Sequence, residues 1–137
     1  MRDLSKYNVL MVDDVPVNLL LVSKMLAPYN FRVRLAGNGQ EALEMVAREI
    51  PDLILLDMLM PGMDGFEVLR RLKANPAWAG IRVIVLSALN SNEDIVRAYG
   101  LGAKDFITKP ILMEKLIHSV DIQLQELELG RKDLANK

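Results

Sequence analysis

The 137-residue sequence contains no cysteine. That excludes a disulfide framework and thiolate metal ligation, and it suits a reducing compartment. Histidine is nearly absent too: His118 stands alone, and one imidazole does not make a metal site. Charge of either sign is not in excess. With 17 basic and 18 acidic side chains and a net charge of -1, no electrostatic footprint for nucleic acid or a membrane surface is present. No apolar run approaches membrane-spanning length, and the opening MRDLSKYNVLMVDD turns acidic too soon for a signal peptide. Repeats and low-complexity segments are lacking as well. These absences imply a soluble cytoplasmic chain with no membrane or nucleic-acid partner for this domain. The length suits one domain, since about 100 to 200 residues is usual. What the chain does have is apolar side chains, 51% of the total, which fits a sheet covered on both faces.

Short apolar runs alternate with helical patterns, the signature of a parallel sheet with helices on both sides. The strands are expected at Val9 to Val12, Arg32 to Ala36, Leu53 to Leu56, Val83 to Leu86 and Asp105 to Ile107. The second, RVRLA, alternates and so reads as a strand near the sheet edge. Helix one is expected from Pro16 to Leu26, closed by Pro28, with Leu19, Val22 and Leu26 on one face. Helix two runs from Gly39 to Ile50 with Ala42, Leu43, Val46 and Ile50 inward, and helix three from Phe66 to Ala74 after an Asp64 cap. Helix four opens on Ser91 and Asp94, which could satisfy each other's backbone donors as a capping box, and ends near Gly100. Helix five begins near Leu112 and is long.

Four of the apolar runs end in polar residues of particular chemistry: Asp13-Asp14, Asp57, Ser87 and Lys109. In a parallel sheet these ends share one rim, where ligands collect. Three carboxylates brought together need a counter-charge. A hard divalent cation and Lys109 can supply it, and a site of oxygen donors without His or Cys suits Mg²⁺. A carboxylate is an attested nucleophile toward phosphoryl groups. Lys109 and the cation would neutralise charge on the transferring phosphoryl, and the Ser87 hydroxyl would donate to one of its oxygens. The residues therefore suit phosphoryl transfer to Asp57.

The segments VDD at Val12 to Asp14, LLDMLMPGMDG at Leu55 to Gly65, Ser87-Ala88 and GAKDFITKP at Gly102 to Pro110 resemble the receiver domain of two-component response regulators, including the chemotaxis receivers. The resemblance covers roughly residues 7 to 125. It implies a flavodoxin-like (βα)5 three-layer α/β sandwich with a parallel sheet of order 2-1-3-4-5. It implies that Asp57 takes a phosphoryl group from the phosphohistidine of a histidine kinase or from a phosphotransfer protein. By the same resemblance Asp13, Asp14, Asp57 and the backbone carbonyl of Met58 hold Mg²⁺, Ser87 and Lys109 contact the phosphoryl group, and the Lys109-Pro110 bond is cis. Such a protein is a phosphoacceptor switch rather than an enzyme with a separate substrate, and it catalyses its own phosphorylation and dephosphorylation. Phe106, three residues before Lys109, is then the switch aromatic that moves with Ser87 and reshapes the surface of helix four, strand five and helix five. Leu59 and Leu89 stand where the family varies and would hinder hydrolytic water. Val15 is apolar where a polar residue is frequent beside the metal site, and Asn18 stands at a familiar place.

Competing readings carry less. Gly37-Asn38-Gly39 followed by Asp57 about twenty residues on imitates a dinucleotide fingerprint, yet leaves Asp13, Asp14, Ser87 and Lys109 unexplained. A phosphatase using Asp57 would want an acid two residues later, where the chain has Leu59. His118 reads as a solvated helix residue, Trp78 as local packing, and the eight methionines as adaptable filling. The domain is assigned to residues 1-125, with 126-137 a helical extension or linker. Met113, Ile117, Val120, Leu124, Leu127 and Leu134 follow near-heptad spacing interrupted around Gly130 and Arg131. Two readings stay open: a core-facing stripe that frays past Leu127, or a stalk toward a partner subunit or output domain. A homodimer through helix four, strand five and helix five, or through the C-terminal helix, is the corresponding expectation. No output module follows, so the chain reads as a stand-alone receiver or as part of a longer regulator or hybrid kinase.

Overall fold

The structure, a computed structural model, describes residues 4–135, with side chains described through Lys132. Strands β1 (Asn8–Val12), β2 (Arg32–Ala36), β3 (Leu53–Leu56), β4 (Arg82–Ser87) and β5 (Asp105–Thr108) form one parallel sheet in the order β2-β1-β3-β4-β5. They alternate with helices α1 (Pro16–Leu26), α2 (Gly39–Arg48), α3 (Gly65–Ala74), α4 (Asn92–Gly100) and α5 (Met113–Ala135). This is the flavodoxin-like three-layer sandwich, with β2 and β5 as its edges.

The pleat divides the strand side chains between two cores. Val9, Met11, Leu53, Leu55, Ile84 and Leu86 point to one face, where Val22 and Leu26 of α1 and Leu116, Val120 and Leu124 of α5 cover them. Leu10, Val12, Ile54, Leu56, Val83 and Val85 point to the other, under α2, α3 and Ala98 of α4. Because both faces are covered, the central strands can be unbroken apolar runs. Polar caps fix where α2, α3 and α4 begin. Asn38 accepts from Glu41 N at 2.8 Å, Asp64 from Glu67 N at 2.9 Å, and Ser91 Oγ from Asp94 N at 3.1 Å.

Several local expectations differ from the structure. The capping box at α4 is not reciprocal: the Ser91 hydroxyl donates to the Asp94 carboxylate at 2.8 Å, so the side chains bond each other. Ile50 is 48% exposed because α2 ends at Arg48 and the chain leaves in an extended conformation at Glu49. Pro28 lies inside a 3-10 turn, Ala27–Tyr29, that follows α1, and Asn30 closes it in the left-handed region with φ 63°.

Helix α5 does not fray after Leu127. It runs through Gly130 because its last turns are tied to the base of the sheet. Glu128 accepts from Tyr7 Oη at 2.7 Å, Arg131 donates to Asp52 at 2.6 Å, and Arg82 donates to Gln123 at 2.9 Å and to Glu126. Val120 and Leu124 are buried and Ile117 and Leu127 pack beside them, so this part of the near-heptad stripe faces the core, whereas Met113 at its start is exposed. The side chain of Leu134 lies outside the described residues. Among the described residues no helix is long and apolar enough to cross a membrane.

Candidate functional site

Strand register assembles the site. Val12 pairs with Leu56, so the next residues, Asp13 and Asp57, leave the sheet side by side. The ladder carries on past the strands, with Asp57 N donating to Val12 O at 2.9 Å and Lys109 N to Ser87 O at 2.8 Å. Asp13, Asp14 and Asp57 each offer a carboxylate oxygen within 4.8 Å of the others. Lys109 Nζ stands 3.2 Å from Asp13 Oδ2 and 3.8 Å from Asp57 Oδ1. The Lys109-Pro110 peptide bond is cis.

Two of the three acids, Asp13 and Asp57, are oriented by backbone. Asp13 Oδ1 accepts from Val15 N at 2.9 Å while its other oxygen faces Lys109, so the carboxylate is held from both sides. Asp57, only 5% exposed, has one oxygen turned to Leu59 N at 3.3 Å. Burial pushes its carboxyl above the ordinary carboxylate pKa; Lys109 opposes that, and the neighbouring Asp13 and Asp14 charges add to it. Negative charge at Asp57 is therefore unwelcome unless a further cation arrives. Ser87 is fully buried at the end of β4, and its Oγ accepts from Leu89 N at 3.2 Å.

The remaining expected residues fall around this group. Met58 O accepts from Gly65 N at 3.1 Å, which leaves a second lone pair for another partner. Phe106 is half-buried on β5 against the core under α2, α3 and α4. Leu59 is exposed beside Asp57, and Leu89 packs against the same core as Phe106. Asn18 and Lys109 line one small cleft with Asp13 and Asp57. Val15 and His118 are exposed.

Gly65 is a supporting residue whose importance residue chemistry alone does not reveal. A Cβ there would meet Met58 Cα at 2.6 Å and Asp57 O at 2.8 Å, so only glycine lets α3 start this close to the loop after β3. The sequence signal was the glycine directly after the Asp64 cap. Gly39 has a related reason: a Cβ would lie 2.9 Å from Val68 Cγ2, so it serves the packing of α2 against α3.

Comparison with known proteins agrees with this geometry. Residues 9–121 match the family model described as response regulator receiver domain. The chain is similar to the response regulator PleD of Caulobacter vibrioides, 45% identical over 103 residues, covering 75% of this chain and 23% of that protein. It is also similar to protein PilH of Pseudomonas aeruginosa, 32% identical over 116 residues, covering 85% of this chain and 96% of PilH. Among solved structures, the signal receiver domain of a LuxO repressor protein from Vibrio parahaemolyticus superposes with TM-score 0.87 at 28% identity, covering 100% of this chain and 99% of that one. The chain thus spans about a quarter of PleD and nearly all of PilH. It belongs to the response regulator receiver domain family of two-component systems, whose function is to accept a phosphoryl group and whose partners are histidine kinases or phosphotransfer proteins.

Proposed function

We propose that Asp57 is the phosphoacceptor, with Asp13, Asp14, Asp57 and Met58 O as the Mg²⁺ site and Lys109 and Ser87 as contacts of the phosphoryl group. The observation that carries this reading is the meeting of three carboxylate oxygens within 4.8 Å beside one lysine. The donor set fits the cation: all ligands are oxygens, and Mg²⁺ is commonly held by one or two carboxylates together with phosphate oxygens and water. When bound, it supplies positive charge against the transferring phosphoryl group.

An Asp57 oxygen attacks phosphorus; the O–P bond forms as the donor's N–P bond breaks, and the leaving imidazole keeps the electron pair. Lys109 exchanges its pairing with Asp13 for the incoming phosphoryl oxygens. The Ser87 hydroxyl, now accepting from Leu89 N, still has its own proton to donate. Burial of Asp57 limits the access of water to the acyl phosphate, and Leu59 and Leu89 narrow its approach further. The domain catalyses both its own phosphorylation from donors and its own slow dephosphorylation. Ser87 and Phe106 then alter the surface of α4, β5 and α5, and a homodimer forms through that surface or through the C-terminal helix. Residues 1-125 form the receiver, 126-137 a C-terminal helical extension or linker, and the protein acts in the cytoplasm.

Incubation with Mg²⁺ and acetyl phosphate followed by intact mass tests the assignment. Wild type gains one phosphoryl group and Asp57→Asn gains none. Equal labelling of the two would remove Asp57 from the role.

A further inference from the structure

Helix α4 is weakly held by apolar burial. Ala98 is its one buried side chain, whereas α3 buries Phe66, Val68, Leu69 and Leu72. Val96 is 68% exposed and Tyr99 45% exposed. Segments with few buried apolar contacts open at low free energy, so the polar contacts of α4 carry an unusual share of its placement. One is the Arg97 guanidinium, 4.1 Å from the centroid of the Phe66 ring. A second is the Lys73 ammonium of α3, which donates to Gly100 O at 2.8 Å, and a third leads to Asp105.

Asp105 opens β5, the edge strand. Its Oδ1 accepts from Tyr99 Oη of α4 at 3.3 Å and from Phe106 N at 2.8 Å. Its Oδ2 accepts from the buried Ser119 hydroxyl of α5. A single carboxylate therefore clasps two helices on opposite faces of the sheet around its open edge, and grips the backbone of Phe106 in the same hold. Burial and the facing Asp105 carboxylate push the Tyr99 phenol above its ordinary pKa, which keeps it a donor.

We infer that Asp105 is a positioning residue for the switch: by tying Tyr99 and Ser119 to the backbone of Phe106, it holds α4 in the arrangement of the unphosphorylated domain. This rests on the phosphoacceptor reading above. Displacing α4 or the start of β5 relative to α5 breaks at least one of the three bonds. A ligand at Asp57 that favours the displaced arrangement works against them, and such coupling is reciprocal. Loosening the clasp therefore tightens the binding of a phosphoryl mimic. A merely structural carboxylate would lower stability and leave the affinity of the folded protein unchanged.

The test is calorimetric titration with beryllofluoride in saturating Mg²⁺, with amide exchange followed over residues 92–100. Asp105→Ala is expected to bind about fivefold more tightly than wild type, with faster exchange in α4. Asp105→Asn keeps an acceptor oxygen for Tyr99 and Phe106 and can donate to Ser119 Oγ, so it stays close to wild type. Unchanged or weaker binding by Asp105→Ala overturns the inference, as does equal tightening by Asp105→Asn. Should Asp105→Ala not fold, the double variant Tyr99→Phe, Ser119→Ala removes two of the three bonds. Tighter binding supports the clasp, and wild-type affinity overturns it. Failure of the wild type itself to bind beryllofluoride would refute the phosphoacceptor reading instead.

Discussion

Replacing Gly65 by alanine adds one methyl group at the first residue of α3, and the structure says where it would go. The new Cβ falls 2.5 Å from Met58 Sδ, 2.6 Å from Met58 Cα and 2.8 Å from Asp57 O. The sulfur can swing aside, but the other two are backbone atoms. To reach the 3.4 Å of ordinary contact, the helix start and the loop after β3 must separate by 0.6 to 0.8 Å. That separation stretches the 3.1 Å bond from Gly65 N to Met58 O beyond useful length. Overpacking of this kind costs about 1–3 kcal/mol and the lost hydrogen bond about 1 kcal/mol, while alanine's advantage over glycine returns up to about 1 kcal/mol. The net loss is about 2 kcal/mol, or roughly 1 M in the urea midpoint of a domain this size. Because the loop carries Asp57, the rate of labelling by acetyl phosphate should also fall about tenfold or more, given about 10²-fold for a 1 Å misplacement. Gly37→Ala is the internal control. Nothing lies within 4 Å of a Cβ there, and neither glycine has positive φ, so that variant should match wild type in both assays. A Gly65→Ala protein with unchanged midpoint and unchanged labelling rate would refute the close-approach argument.

Without divalent cation at pH 7, Asp57→Asn should unfold at higher denaturant than wild type. The raised pKa of Asp57 means the folded protein binds more protons than the unfolded chain above the ordinary carboxylate value of 3.8, so wild-type stability falls as pH rises through that window. The difference between the two proteins should vanish below that value; wild type being the more stable at pH 7 contradicts it. Added Mg²⁺ at about 100 times its Kd should stabilise wild type by about 2.7 kcal/mol, and a denaturation midpoint indifferent to the cation would count against the metal site. Leu59→Asn opens a polar route for water beside Asp57 and should shorten the phosphoryl half-life several-fold, read by mass after donor removal; no shortening sinks the shielding idea. Deleting residues 126–137 removes the bonds of Glu126, Glu128 and Arg131 to Arg82, Tyr7 and Asp52 and should cost about 1–2 kcal/mol, given the modest worth of exposed pairs. Light scattering on the same pair of proteins shows whether the extension also mediates a dimer.

Most of the fold is legible in the chain because a sheet buried on both faces leaves unbroken apolar runs, and each expected strand ended at, or one residue before, the end of the observed one. The acids, Ser87 and Lys109 were legible for a related reason: polar residues at the ends of apolar strands have one rim to go to. What stayed hidden depended on packing between distant elements. Gly65 looks like turn punctuation until α3 is laid against Met58. The continuity of α5 through Gly130 contradicts local propensity, and it comes from Tyr7, Asp52 and Arg82, none of which is near it in sequence. Ile50 fits the helical period of α2 but falls past its end, since Glu49 is already extended. Asp105 read as an unremarked strand start because its three partners come from three different elements.

Asp13 and Lys109 touch although 96 positions separate them, one following the first strand and the other the last. Neither half of the polypeptide can build this corner alone. An unfinished or clipped chain lacking β5 would keep its acids but not the ammonium that lets them coexist, and would stay inert toward donors. On the proposed assignment, readiness to accept a phosphoryl group requires the residues that follow the first and last strands to have met in one folded molecule.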